Sequence, residues 1–172
     1  MRVLVAYATK SGSTAGIAQA IGDELGRMGF EAEVRSVDAV PDLRGYDAVI
    51  LGSAVYVGRW RKEALRFGSR NIAELRQKAV WLFESGPTDT SADKGKAAPA
   101  KAAAKLAAQI GARQHVVFGG KFGPDQVGDF TRRMIAKGDK SPYGDFRNFD
   151  RIRRWARAIG AELQEVRPVE AH

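Results

Sequence analysis

Four short apolar runs and one alternating run are separated by stretches of helical periodicity, and this pattern constrains the fold more than any other property of the 172-residue chain. Residues 2–8, RVLVAYA, carry β-branched and apolar side chains almost without interruption, the pattern of a strand buried on both faces. Residues 14–28 follow at once, with Ile17, Ala20, Ile21, Leu25 and Met28 forming one apolar helical stripe, and Gly29 placed to end it. The same alternation continues along the chain. Residues 47–52 (DAVILG), 79–83 (AVWLF) and 115–122 (HVVFGGKF) read as buried strands, and 31–37 (EAEVRSV) as a less buried edge strand. Residues 61–76, 99–110, 124–136 and 149–163 read as helices, and the small, polar residues 90–98 and 137–148 as loops. Buried strands separated by helices predict an α/β fold: a doubly wound, five-stranded parallel sheet of order 2-1-3-4-5. Residues 1–172 are expected to form one domain, with an insert at about 123–148 and no internal repeat.

In such a sheet a ligand sits outside the carboxyl ends of the strands, beside the first strand. The loops after the first, third and fourth strands must then build any site together. The first is Thr9-Lys10-Ser11-Gly12-Ser13-Thr14. It offers backbone N–H groups at a helix N-terminus, where the helix dipole favours an anion. A plain helix cap needs one hydroxyl, and this loop has four. A nucleoside-triphosphate loop needs a second glycine followed by lysine, and a dinucleotide loop needs three glycines; neither pattern is present. A hydroxyl-rich loop with little charge suits the phosphate monoester of a mononucleotide-like cofactor.

The second loop, residues 52–60 (GSAVYVGRW), combines small residues that leave room for a flat ligand with the aromatic faces of Tyr56 and Trp60. The third, residues 84–89 (ESGPTD), has a Gly-Pro turn able to line a ring edge with backbone donors. Cysteine is absent, which excludes disulfides, thiolate catalysis and Cys-ligated zinc; His115 and His172 do not make a typical metal site. The net charge of +8 favours anionic partners. No apolar run approaches the ~18–20 residues of a membrane span, so a cytoplasmic protein is expected.

Together the three loops resemble the flavodoxin family. TKSGST stands where that family has its T/S-x-T-G-x-T flavin-phosphate loop, with Ser11 in place of the usual threonine. Within the family, GSAVYVGRWRKEALRF is similar to the second-loop segment of the menaquinone-dependent protoporphyrinogen oxidase branch, and the basic insert and the closing DFRNFDRIRRWA segment also fit that branch. The resemblance implies non-covalently bound FMN and no metal. It implies that Thr9, Lys10, Ser11, Gly12, Ser13 and Thr14 hold the phosphate, and that Ser53, Ala54, Val55, Tyr56, Val57 and Gly58 face the isoalloxazine. Ser85, Gly86, Pro87 and Thr88 would reach its pyrimidine edge. Tyr56 and Arg59 are the candidate ring-proximal catalytic contributors; no side-chain acid–base pair stands out.

Two departures separate the chain from electron-carrier flavodoxins, which are typically acidic and often sandwich the flavin between aromatics. This chain is basic, and its third loop holds no aromatic residue. The function implied is an FMN-dependent oxidoreductase of the protoporphyrinogen-dehydrogenase type that passes electrons to a quinone. The alternative is an electron carrier or quinone reductase. The partner is then a porphyrinogen, a quinone or a redox protein, with no nucleic acid. Phe130, Met134, Ile135, Tyr143 and Phe146 are candidates to cover the flavin or an apolar substrate. Arg132, Arg133, Lys137 and Lys140 are candidates to meet substrate carboxylates or the anionic inner face of a membrane.

Overall fold

A computed structural model describes residues 1–138 and 142–166, so Lys140 and His172 lie outside the described residues. The elements run β1 (Arg2–Ala8), α1 (Ser13–Arg27), β2 (Glu31–Ser36), β3 (Ala48–Tyr56), β4 (Arg59–Trp60), α2 (Lys62–Arg70), α3 (Ile72–Leu75), β5 (Ala79–Ser85), α4 (Lys101–Ile110), β6 (Gln114–Phe118), β7 (Lys121–Phe122), α5 (Asp129–Ala136), β8 (Gly144–Asp145) and α6 (Phe149–Val166). β1, β2, β3, β5 and β6 pair in parallel in the order 2-1-3-5-6, which is the expected 2-1-3-4-5 once the short hairpin strand β4 is set aside.

Side chains alternate across each strand, so one sheet serves two cores. Leu4, Ala6, Val49, Leu51, Val80 and Leu82 pack beneath α2, α3 and α4. Val3, Val5, Ile50, Trp81, Phe83 and Phe118 pack beneath α1 and α6, which add Ile17, Ile21, Leu25, Ile152, Ile159 and Leu163. The apolar runs are continuous because both faces are covered.

The helix ends follow from their residues. Gly29 adopts φ +90° after α1, and the Phe30 N–H returns to the Leu25 carbonyl at 3.2 Å, a left-handed glycine cap. Gly111, at φ +66°, ends α4 in the same way. The helix expected over 61–76 breaks at Asn71, whose side-chain amide donates to the Phe67 carbonyl at 2.8 Å and competes with the helical ladder.

Three differences lie near the strand ends. β3 continues past residue 52 to Tyr56 and turns back through Val57 (φ 50°) and Gly58 (φ 71°) into β4. Left-handed residues at both turn positions match the twist of a two-residue hairpin, although a valine is an unusual choice there. The strand expected over 115–122 stops at Phe118, and residues 121–122 pair with β8. A side chain at Gly119 would run into the Phe146 backbone, so the double glycine permits the approach of the 144–148 segment. Finally, the helical run at 124–136 is a 3₁₀ turn followed by α5, and α5 buries none of its residues: Phe130 and Met134 face outward.

Candidate functional site

Register brings the three loops to one edge of the sheet. Ala8 lies opposite Ser53, Ala54 opposite Ser85, and Ser85 opposite Phe118. β1, β5 and β6 therefore end within a residue of the same height, and β3 runs on to Tyr56 before its hairpin. A cleft there is lined by Thr9, Lys10, Ser11 and Ser13 from the first loop, Ala54, Val55 and Tyr56 from the second, and Ser85, Gly86 and Thr88 from the third.

In the first loop, Gly12 adopts φ +88° and its N–H donates to Thr9 Oγ1 at 3.0 Å. Gly12 is the N-cap of α1, yet no side chain caps the helix. The N–H groups of the first turn thus have no acceptor within the helix and point towards the loop. Thr14 is fully buried, and its Oγ1 has no hydrogen-bond partner among the described residues. Ser85 Oγ, also buried, is in the same condition. Thr14 lies in the first turn of the uncapped helix and Ser85 lines the cleft; buried hydroxyls without partners are unfavourable in isolation and suit a hydrogen-bonding ligand, and the free helix end suits an anionic one.

The second loop divides. Lys10 Nζ lies 4.3 Å from the centre of the Tyr56 ring, a cation–π contact that spans the cleft. Tyr56 and Val57 are 55% and 83% exposed and form an apolar edge. Ser53, expected to face the ring, is buried; its hydroxyl donates to the Ala54 carbonyl and accepts from the Arg61 N–H at 2.9 Å. Trp60 is also buried and is not an open aromatic face. Its Nε1 donates to Glu84, and its ring meets His115 edge-on.

Glu84 is a strut. Its carboxylate, nearly inaccessible, accepts from Trp60 on β4 and from the Ala100 N–H at the start of α4 at 3.0 Å, with His115 Nε2 3.4 Å away. It holds apart the walls of a second, larger cavity of about 1160 Å³. That cavity shares Val55, Tyr56 and Gly86 with the first cleft, and Arg59, Arg61, Lys62 and Lys101 line it together with the apolar parts of Leu65, Pro87, Pro99 and Val117.

The structure brings in four residues that sequence reasoning passed over. Gly120, Lys121, Phe122 and Gln126 close the far side of the phosphate-loop cleft. Gly120 N–H donates to the Pro87 carbonyl at 2.8 Å, fixing the third loop. Only the double glycine marked this region in the sequence. Phe130 and Met134 stand exposed, whereas Tyr143 stacks at 5.5 Å on Phe122.

A flavodoxin domain model matches residues 4–147. The chain belongs to the flavodoxin domain family. This membership makes FMN the cofactor and electron transfer the chemistry, and the uncapped helix end and the buried Thr14 and Ser85 hydroxyls fit that group. Among solved structures, an archaeal flavodoxin is similar with a TM-score of 0.64, at 17% identity and over 95% of this chain and 99% of that one. Flavodoxin 2 from Bacillus cereus follows at 0.62, 22% identity and the same coverages. The rubredoxin:oxygen oxidoreductase of Desulfovibrio gigas matches at 0.65 and 13% identity, over 95% of this chain but 36% of its own. These likenesses speak to the fold. A curated relative, protoporphyrinogen IX dehydrogenase [quinone] of Escherichia coli K12, is 27% identical over 77 residues, which are 44% of this chain; the chain spans 42% of the length of that relative. No helix among the described residues is long and apolar enough to cross a membrane.

Proposed function

We propose that this flavodoxin-family chain is an FMN-dependent dehydrogenase of the protoporphyrinogen IX type, which passes electrons through FMN to a quinone. The observation that carries the reading is the cavity of about 1160 Å³ beside the ring-facing residues. Val55, Tyr56, Gly58, Gly86 and Pro87, the residues assigned to the ring, line this open space themselves, and against the usual ~300–1,000 Å³ of a ligand pocket it has room for more than the ring. Its arginines and lysines suit a substrate that bears carboxylates on an apolar macrocycle. The partial likeness to the E. coli dehydrogenase points the same way.

In this reading the first loop, residues 9–14, takes the phosphate on the free N–H groups of α1 and on the hydroxyls of Ser11, Ser13 and Thr14. Val55, Tyr56 and Gly58 pack against one side of the ring, and Gly86, Pro87 and Thr88 approach its polar edge. Ser53 acts from behind, holding the turn into α2. Bound FMN supplies the redox chemistry. The protein orients the substrate: Tyr56 and Val55 form the wall shared by the two cavities, and Arg59 and Lys101, which line the larger one, hold its carboxylates.

The exposed edge of Tyr56 and Val57 favours a second reading, a carrier or quinone reductase that docks a redox partner there. The two separate in one assay. Protein loaded with FMN, given protoporphyrinogen IX and a quinone, should generate porphyrin fluorescence well above autoxidation. Quinone reduction without porphyrin formation would select the second reading.

A further inference from the structure

Arg147 reaches from the insert to the root of the phosphate loop. Its guanidinium is forked onto Asp145, Nε to Oδ1 at 2.9 Å and Nη2 to Oδ2 at 2.8 Å. The third nitrogen, Nη1, donates to the carbonyl of Ser13 at 3.3 Å, in the first turn of α1. The side chain is only 14% exposed, although it sits in a polar connection. Residue 16 is glycine, and a Cβ there would lie 2.7 Å from Nη1, so alanine would push the guanidinium tip out of this seat. Gly16 has an ordinary helical φ, so its value here is space and not backbone freedom.

The segment that carries Arg147 is tied to the other loops as well. Phe146 N–H donates to the Gly120 carbonyl at 2.9 Å, Asn148 Nδ2 donates to Asp93 at 3.2 Å, and Arg151 Nη1 donates to the Val117 carbonyl at 2.7 Å. Gly120 in turn holds Pro87. One short stretch therefore braces the phosphate loop, the third loop and the end of β6. Because Asp145 already neutralises the guanidinium, the pair adds little net charge to the site. Its effect is geometric.

We propose that Arg147 is a positioning residue of the cofactor site: seated in the Gly16 notch and bonded to Ser13, it fixes the first turn of α1 under the phosphate loop, so that FMN retention depends on the docked insert. The proposal rests on the reading of residues 9–14 as the phosphate loop. By linkage, FMN must in turn hold the insert in place. Lysine has no fork and cannot make the two-point contact to Asp145 while a separate nitrogen serves Ser13.

The test compares wild type, Arg147→Ala, Arg147→Lys, Gly16→Ala and the Gly16→Ala/Arg147→Ala double variant. Binding of FMN and of riboflavin is read by flavin-fluorescence quenching. Insert docking is read by trypsin cleavage at Arg132, Arg133 and Lys137, with and without FMN. Arg147→Ala is expected to weaken FMN about tenfold and riboflavin far less; Arg147→Lys should not rescue it. FMN should slow cleavage in wild type severalfold and not in Arg147→Ala. Gly16→Ala is the sharper variant. Alanine favours the helix, so thermal stability of the apo-protein should hold or rise while FMN affinity falls, and it should have no further effect once Arg147 is gone. Equal FMN affinity in wild type and Arg147→Ala, or additive losses in the double variant, would overturn the proposal. Failure of wild type to prefer FMN over riboflavin would instead overturn the phosphate-loop reading.

Discussion

Helices α1 and α5 both carry apolar residues at helical spacing, yet the molecule uses them in opposite ways. α1 buries Ile17, Ala18, Ile21 and Leu25 against the sheet and against α6. α5 buries nothing; Arg132 closes its segment on itself by donating to the carbonyls of Pro124 and Val127, and the region reaches the other loops through polar contacts such as Phe146 N–H to Gly120 and Arg147 to the Ser13 carbonyl. The first region is held by apolar area, which is non-directional and strong. The second is held by polar contacts, individually weak but directional. A site assembled between the two has one wall that cannot move cheaply and one that can.

The largest effect expected from this contrast is in stability. Ile21 is fully buried, so Ile21→Ala should cost about 2–5 kcal/mol in the free energy of unfolding. Phe130, 78% exposed, should give a change within about 0.5 kcal/mol on Phe130→Ala despite its greater size. Urea denaturation of both variants measures the gap. A Phe130→Ala loss approaching that of Ile21→Ala would mean that α5 is covered in solution, and the contrast would collapse.

A smaller effect, in binding, sharpens the comparison at the boundary between the two regions. Thr14 lies in the rigid wall, but its hydroxyl has no partner there. Thr14→Val removes that buried unpaired group and keeps the shape. Apo stability should therefore stay level or rise. FMN affinity should fall by about 1.5–3 kcal/mol, roughly 10- to 150-fold, the value of a hydrogen bond to a charged group. Opposite signs from one substitution, read by thermal melting and fluorescence titration, distinguish a ligand-binding hydroxyl from a packing one. A loss of apo stability would assign Thr14 to the core.

This boundary also explains what could be read from the sequence. The sheet order and the three loops were legible because apolar periodicity reports burial directly, and because parallel strands must deliver their carboxyl-end loops to one edge. Trp60 offers no open aromatic face, for a physical reason. The hairpin through Val57 and Gly58 turns Trp60 back towards Glu84, and a hairpin register leaves no trace in periodicity over two residues. Phe130 and Met134 have the spacing of a buried stripe but stand exposed among the described residues. Arg147 was invisible because its importance depends on an absence, the missing side chain of Gly16, more than a hundred residues away.

The smallest effect concerns pH, and it tests the rigid half alone. Glu33 on β2 accepts a hydrogen bond from the Tyr46 hydroxyl at 2.6 Å and one from Arg2, with Arg35 3.1 Å away. These contacts, the Tyr46 bond foremost, hold its carboxyl below the ordinary glutamate value of 4.5. The unfolded chain then binds a proton more readily than the folded one. The stabilisation is fully present above the unfolded value and is lost as pH falls through the lower, folded one. Glu33→Gln keeps the shape and removes the titration, so it should lower stability by a small, nearly constant amount between about pH 6 and 8, and the gap to wild type should close as pH falls below about 4.5. Since Glu33 is partly exposed, solvent screening keeps the effect small. Asp145 is likewise held below the ordinary aspartate value, chiefly by its hydrogen bond to Arg147. The Arg147 seat should thus persist at pH values where unfolded-state carboxylates are already protonating. A trypsin-accessible insert at mildly acidic pH, with the sheet still intact by circular dichroism, would show that the polar wall opens before the apolar one for a reason other than Asp145.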